Sequence, residues 1–382
     1  MTRWPLLLAL ALASGLCAPG LHAATLNVVP GQSLQDALQR AADGDVIEIA
    51  AGDHHGQVGL IWQRRLTLRG VGGRPVLHAD GRHAEGKAML VVRDGDVHID
   101  NIEFRGARVP DGNGAGIRFE RGRLQVTRCA FIDNQNGILT GNVATAELTV
   151  QDSEFAQAPA GTSLPHLLYV GRTARFMLTG SHFSGGHQGH LVKSRARENR
   201  IFYNRLDDRP AGQASYELEF PHGGLAWVVG NVLAQSGNTS NPTLLAFGAE
   251  GSPDGRAQGL YLSHNTFISE GLKPAFFVRV HEARLGAAVP QRVLNNLFVG
   301  LGLADVDWGS AAQGNFALPT AALAPDAAGL PRLAADSWLR GHAVAAGAAQ
   351  GETLRPDAEF ASPTGTRPLA PRSRWAPGAY QD

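Results

Sequence analysis

The sequence predicts an all-β protein with the fold of a right-handed parallel β-helix. A short apolar motif ending in Phe or Leu recurs, with closing residues at positions 104, 131, 155, 183, 206, 233, 267 and 298. The separations run from 23 residues (183 to 206) to 34 residues (233 to 267). That length is too short for a strand–helix–strand crossover with its loops, but it fits one coil of two or three short strands. The 47 glycines among 382 residues are typical of a turn-rich chain.

The N-terminal residues 1–24 have the pattern of a secretory signal. Arg3 supplies the positive start, residues 6–13 form a short apolar run, and Ala23 and Ala24 provide small residues at its end. We therefore expect an exported protein, periplasmic or extracellular. No later stretch is long and apolar enough to span a bilayer. Without the signal, Cys129 is the only cysteine, so we expect no internal disulfide.

After the signal, a strand at residues 25–29 is followed by a short helix at residues 33–42. Ser33 is its expected N-cap, and Leu34, Ala37 and Leu38 share one face. A helix at this place would cover the open end of the first coil. We expect the β-helix domain, with this cap, to span residues 25–310. Residues 311–382 have little periodicity and are expected to form an irregular segment that covers the last coils.

The charge distribution indicates a local and not a global preference for acidic partners. Lys and Arg number 34 and Asp and Glu also number 34, so the net charge is zero and nucleic acid is not expected as a partner. Four basic residues nevertheless fall within eight positions at the end of one apolar strand: Lys193, Arg195, Arg197 and Arg200. This clustering predicts a site for an acidic polysaccharide on an otherwise neutral, monomeric protein.

In each coil, a further strand is expected between two copies of the repeated motif. In two neighbouring coils this strand has a similar sequence, His166-Leu167-Leu168-Tyr169 and His190-Leu191-Val192-Lys193, with an offset of 24 residues. Equivalent positions in stacked parallel strands lie about 4.8 Å apart. The stacking predicts two rows of side chains on one outer wall. They are His166, His190 and Tyr216, and beside them Tyr169, Lys193 and Glu219. A slip of one residue would place Glu217 there instead of Glu219.

Several motifs resemble the parallel β-helix proteins of the pectate-lyase-like superfamily, most closely the alginate lyase and chondroitinase B family. The similar stretches are Leu191-Val192-Lys193-Ser194 and Pro221-His222-Gly223. The resemblance implies that Lys193 abstracts a proton and that His222 belongs to the family's Arg-His-Gly, although Pro221 replaces the arginine. It also implies a calcium ion that binds the uronate carboxylate. His190 or a neighbour stands where an acidic ligand is expected, so calcium stays open and no residue is assigned to a metal.

The expected reaction is β-elimination in a uronate-containing polysaccharide. Lys193 would be the base if neighbouring positive charge or partial burial favours its neutral form. Tyr169, His190 or His166 would be the acid for the leaving oxygen. The expected substrate-binding residues are Arg195, Arg197, Tyr216, Glu217, Glu219 and His222. Two alternatives stay open on the same scaffold: a C5-epimerase or glycosidase, and a non-catalytic carbohydrate-binding protein of the cell envelope.

Overall fold

The computed structural model describes residues 23–161 and 164–381, so nearly all of the expected signal lies outside the described residues. The chain forms a parallel β-solenoid of about nine turns, which confirms the predicted fold class. A typical coil has a strand of five residues, a strand of three and another strand of five, joined by short corners. Among the described helices, none is long and apolar enough to cross a membrane.

One wall of the solenoid is a parallel sheet of ten strands, one from each successive coil, and we call it the ten-stranded sheet. Its strands are Gly59–Ile61, Ala88–Val92, Ala115–Phe119, Asn136–Thr140, Leu168–Val170, His190–Ser194, Tyr216–Phe220, Thr243–Phe247, Ala275–Val280 and Gly302–Asp305.

The other walls form a continuous sheet of 21 strands made of two parallel ladders. The ladder of longer strands comprises Thr25–Val28, Val46–His54, Arg65–His78, Asp96–Asp100, Arg123–Thr127, Glu147–Gln151, Arg175–Thr179, Glu198–Phe202, Leu225–Val229, Gly259–Ser263, Gln291–Leu294 and Ala312–Gln313. The ladder of shorter strands comprises Glu103–Arg105, Ala130–Ile132, Glu154–Ala156, His182–Ser184, Arg205–Asp207, Val232–Gln235, Thr266–Ser269, Leu297–Val299 and Phe316–Leu318. In the first coils, Val46–His54 and Arg65–His78 bend through the corner and belong to both ladders.

The core is a column of side chains that repeats from coil to coil. The predicted closing residues Phe104, Phe131, Phe155 and Phe183 stack face to face, with ring centroids 4.5–5.1 Å apart. This spacing matches the rise between parallel strands, because each ring lies directly over its equivalent in the previous coil. The stack fixes the register along the solenoid and therefore determines which residues share the outer wall.

A second column is a hydrogen-bonded asparagine ladder formed by Asn204, Asn231, Asn265 and Asn296. None of these four asparagines occupies the left-handed corner position itself. The structure shows instead that the left-handed residue comes one position earlier, for example Gly230 at φ 69°. The asparagine side chains point inward and form hydrogen bonds with backbone groups of adjacent coils.

The predicted N-terminal helix spans Leu34–Arg40, and Ser33 caps it by accepting a hydrogen bond from the Asp36 backbone N–H. Its buried face packs on the first coil, and the Gln35 side chain accepts a hydrogen bond from the Leu60 backbone N–H at 2.9 Å. Leu60 lies in the terminal strand of the ten-stranded sheet. The helix thus covers apolar surface and also satisfies part of an open sheet edge.

The chain after the last coil is less irregular than its sequence suggests. It contains a short 3₁₀ helix, Thr320–Ala322. A second short α-helix, Glu282–Leu285, lies earlier in the chain, within the solenoid. The antiparallel strand pairs of the chain after the last coil are Leu323–Pro325 with Pro331–Leu333, Ala348–Ala349 with Glu352–Thr353, and Ala358–Phe360 with Thr366–Pro368. The segment runs back along the 21-stranded sheet, where Trp227 Nε1 donates to the Ala349 carbonyl.

Candidate active site

The strand His190–Ser194 presents two side chains, His190 and Lys193, on the outer wall of the ten-stranded sheet. Leu191 and Val192 between them both lie in the core. The register pairs Lys193 with Tyr169 on one side and with Glu219 on the other, and it pairs His190 with Tyr216. These are the two rows of side chains predicted from the 24-residue offset.

The row that contains His190 is a tight stack of rings. The ring of His190 stacks on Tyr216 with centroids 4.7 Å apart, and its Nδ1 lies 3.1 Å from Nδ1 of His166. The backbone N–H of His190 also donates to His166 Nδ1, so that nitrogen is an acceptor and the proton of a neutral His166 is on Nε2. Burial lowers the pKa of His166 well below its usual value, and the nearby charges of His190 and Lys193 act in the same direction.

Glu219 joins the two rows. Its Oε2 lies 2.8 Å from His190 Nε2 and 3.1 Å from Lys193 Nζ. Burial opposes ionisation of this carboxyl, but the hydrogen bond and charge of His190, followed by those of Lys193, bring its pKa below the usual value. Glu219 is therefore an ionised carboxylate that orients both the lysine and the imidazole.

A second carboxylate, Glu250, lies where several basic side chains converge. Its carboxylate oxygens lie 3.1 Å from Lys193 Nζ, 2.6 Å from Arg195 Nη2 and 3.6 Å from His222 Nε2. The other arm of the Arg195 guanidinium donates to the Tyr169 hydroxyl. Three basic side chains, one tyrosine hydroxyl and one carboxylate therefore meet on a single patch of the outer wall.

Glu250 was not found by sequence reasoning, because it comes from a loop two coils further along the chain. That loop, residues 248–258, follows the strand Thr243–Phe247 and folds back over the site. The buried guanidinium of Arg256 anchors it by donating to the Arg195 carbonyl at 2.6 Å and to the Ala196 carbonyl at 3.0 Å. The only signal in the sequence is an acidic residue in a long loop on the same side as the basic cluster.

Two of the expected substrate-binding residues lie elsewhere. Arg197 pairs with Asp254 at 3.1 Å and so helps to hold the folded-back loop. Glu217 is fully buried, in the core position that Leu191 and Leu244 occupy in the adjacent coils. The expectation that Glu217 binds substrate is therefore wrong: because the strand faces the core on that side, its carboxyl points away from the outer wall.

A polar groove of about 550 Å³ extends from the site toward the N-terminal coils. His166 and Tyr169 form one end of its lining, and Arg118, Asn136 and Asn142 continue it. Arg118 and Tyr169 belong to the same row, since each pairs with Leu139. Amide, guanidinium and aromatic groups in an open groove are suited to contacts with the hydroxyl groups and ring faces of sugars.

The calcium ion implied by the family resemblance does not fit this donor set. Calcium takes six to eight oxygen ligands. Here Glu219 is held by His190 and Lys193, and Glu250 is held by Lys193 and Arg195. The positive charge at this point is supplied by side chains of the protein itself.

The wall and core together define a parallel β-helix. Among solved structures, the chain is similar to the PL6 family alginate lyase AlyGC, with a TM-score of 0.53 and 16% sequence identity. The match covers 77% of this chain but 40% of that chain, so the present protein spans less than half of the lyase. No protein-family model and no curated protein sequence matches the chain. The similarity therefore shows the fold.

Proposed function

We propose that the protein is an exported lyase that cleaves a uronate-containing polysaccharide by β-elimination. The observation that carries the proposal is the convergence of Lys193, Arg195 and His222 on one carboxylate, beside the Tyr169 hydroxyl. The similarity to an alginate lyase supports the same class of substrate. The signal pattern of residues 1–24 supports action outside the cytoplasm.

The position of Glu250 indicates how a uronate would bind. A sugar carboxylate that replaces the Glu250 carboxylate faces Arg195 and His222, and these groups stabilise the charge that builds up as the carboxylate becomes enolate-like. The hydrogen on the carbon next to that carboxylate then points toward Lys193. Glu219 holds the Lys193 side chain in place from the opposite side.

In the proposed reaction, Lys193 first releases its ammonium proton to solvent, and the resulting amine takes the proton from that α-carbon. The electron pair of the broken C–H bond forms a carbon–carbon double bond, and the bond to the glycosidic oxygen breaks. Tyr169 gives its hydroxyl proton to the leaving oxygen, and the hydrogen bond from Arg195 stabilises the phenolate that results. The products are an unsaturated uronate and a new hydroxyl end.

The test is to offer the purified protein a panel of uronate polymers and follow the ultraviolet absorbance of the unsaturated product. We expect Lys193→Met to lower the rate by about 100-fold or more, the range of a lost general base. Lys273→Met removes an exposed lysine from a loop and should leave the rate unchanged. The variants must give the same circular dichroism spectrum as the unmodified protein.

Other outcomes identify the alternatives. If no polymer gives an unsaturated product, the lyase proposal is wrong. A change of sugar configuration in the proton NMR spectrum would then indicate an epimerase, and new reducing ends would indicate a glycosidase. Polysaccharide binding that persists in Lys193→Met, without any chemical change, would indicate a binding protein.

A further inference from the structure

A compact group of histidine and aspartate side chains lies at the first corners of the solenoid, about four coils from Lys193, or on the order of 20 Å. The register pairs His54 with Leu77, so the next residues, His55 and His78, lie one above the other. Their rings stack with centroids 4.7 Å apart and an interplanar angle of 15°. The two imidazoles therefore come from adjacent coils but share one outer surface.

Each histidine of this group holds an aspartate from the opposite coil. His55 Nδ1 lies 2.9 Å from Asp80 Oδ2, and His78 Nε2 lies 2.8 Å from Asp53 Oδ1. The ligand atoms of His55, His78 and Asp80 all lie within 4.8 Å of one another. Two nitrogens and two carboxylate oxygens thus form a crossed arrangement between two coils.

The geometry points to a binding site for one divalent transition-metal ion of the zinc type, held by His55, His78 and Asp80, with Asp53 bonded to the His78 ring beside it. Zinc binds imidazole nitrogen and carboxylate oxygen at about 2.0–2.2 Å, so two ligands of one ion lie roughly 3 Å apart. The separation of 2.9 Å between His55 Nδ1 and Asp80 Oδ2 already has this value. The mixed nitrogen and oxygen donors favour zinc, nickel or copper over calcium and magnesium, which prefer oxygen ligands.

Hydrogen bonds hold the backbone next to the group in place. The ring of His54 is buried between the two coils, and its Nε2 bonds to the Ala50 carbonyl at 2.8 Å. The Gly56 backbone N–H donates to Asp80 Oδ2 at 3.0 Å, and Gly56 has a left-handed φ of 63°. Only a residue that tolerates this conformation lets the chain turn there and hold the carboxylate.

An ion can reach the group from solution, since the His55 side chain is 69% exposed and that of His78 is 22% exposed. Because the ligands come from two coils, a bound ion would tie the first coil to the second. Binding to the folded state alone raises the stability of that state. The site therefore gives a stability readout as well as a binding readout, and neither depends on the proposed lyase activity.

The experiment is calorimetric titration of the metal-free protein with Zn²⁺, together with visible absorption spectra of the Co²⁺-loaded protein. We expect one ion per chain, d–d bands of nitrogen and oxygen ligation, and a higher unfolding temperature with Zn²⁺. His78→Ala and Asp80→Asn should each weaken binding at least tenfold, in the range seen when a metal-site group is lost. His83→Ala removes an exposed histidine five residues from His78 and should change nothing.

The proposal is overturned if the unmodified protein binds Zn²⁺ no more tightly than the His55→Ala/His78→Ala double variant. Equal weakening by His83→Ala would also overturn it, because binding would then reflect scattered surface histidines. If His78→Ala unfolds, His55→Ala gives the same test, since its side chain is the most exposed of the group. Ca²⁺ should neither compete with Zn²⁺ nor raise the unfolding temperature.

Discussion

At the scale of single residues, Glu250 is the side chain whose role the structure defines most sharply. It is ionised, because Arg195 and Lys193 hold its pKa below the usual value although partial burial opposes this. It is also 41% exposed and comes from a loop. A carboxylate in this position competes with a uronate carboxylate for the same cations.

Glu250→Gln should therefore lower the KM for a uronate polymer. Exposed ion pairs contribute about 1 kcal/mol or less, so we expect a decrease of about three- to fivefold. Glu270→Gln removes an exposed carboxylate that pairs with Arg209 and should leave the KM unchanged. Steady-state kinetics on the most active polymer measure both. An increase in KM would show that Glu250 binds the substrate and does not compete with it.

Glu217 presents the opposite case, a carboxyl in the core. Burial raises its pKa well above the usual value, and the charge of Asp208 adds to this. Its Oε1 has no hydrogen-bond partner among the described residues. The adjacent coils have Leu191 and Leu244 at the same position, so the site has the shape and surroundings for leucine.

Glu217→Leu should stabilise the protein by about 1–3 kcal/mol, the usual penalty of a buried polar group without its partner. The folded state binds the Glu217 proton more tightly than the unfolded state. The unmodified protein therefore loses stability as the pH rises from the unfolded pKa to the folded pKa. The gain from leucine should be larger at pH 8 than at pH 4. Urea unfolding at both pH values measures it, and a destabilised variant would refute the interpretation.

At the scale of elements, the asparagine ladder holds the corners of successive coils. Asn231 Oδ1 accepts hydrogen bonds from the backbone N–H and the side chain of Asn204. Its Nδ2 donates to the Ile201 carbonyl at 2.8 Å and to Asn265 Oδ1 at 3.1 Å. One side chain thus satisfies groups in the coil on each side.

Asn231→Ala leaves several of these buried groups without partners, each worth about 1–3 kcal/mol, so we expect a loss of roughly 3 kcal/mol. Asn238→Ala changes an exposed asparagine seven residues away and should stay within about 0.5 kcal/mol. Chemical unfolding followed by circular dichroism compares the two. Equal stability of both variants would mean that water replaces the hydrogen bonds of the Asn231 side chain.

Elements that repeat were predictable, and elements that do not repeat were not. The offset of 24 residues placed Tyr169 beside Lys193, because register in a parallel stack carries over unchanged from coil to coil. The capping helix followed from its N-cap and its apolar face. The position of Glu250 depends on how a loop folds across two coils, and no local sequence pattern predicts the path of that loop. The position of Glu217 could not be predicted because Glu217, Leu218, Glu219 and Phe220 alternate between polar and apolar, whereas in the structure the neighbours Glu217 and Leu218 are both buried in the core.

At the scale of the whole molecule, the segment after the last coil connects coils that would otherwise contact only their neighbours. The Gly365 backbone N–H donates to the Gly180 carbonyl at 2.7 Å, and the Ala379 backbone N–H donates to Thr266 Oγ1 at 3.0 Å. Between these points, the Tyr203 hydroxyl donates to Asp357 Oδ1 at 2.7 Å. A solenoid stabilised only by neighbouring coils tends to unfold in parts, whereas a segment that spans several coils makes unfolding more cooperative.

Leu354 tests this effect, because it is fully buried in a cluster with Trp227, Tyr261 and Leu294. Leu354→Ala should cost about 3 kcal/mol through the cavity it leaves. It should also broaden the urea transition, since coils released from the segment unfold separately and the apparent slope falls. Leu272→Ala, at a 98% exposed position, is the matched control and should leave both midpoint and slope unchanged. Tryptophan fluorescence, which includes buried Trp227, follows the released region, and circular dichroism follows the whole solenoid. If the two probes stay coincident and the slope is unchanged, the segment covers apolar surface without coupling the coils.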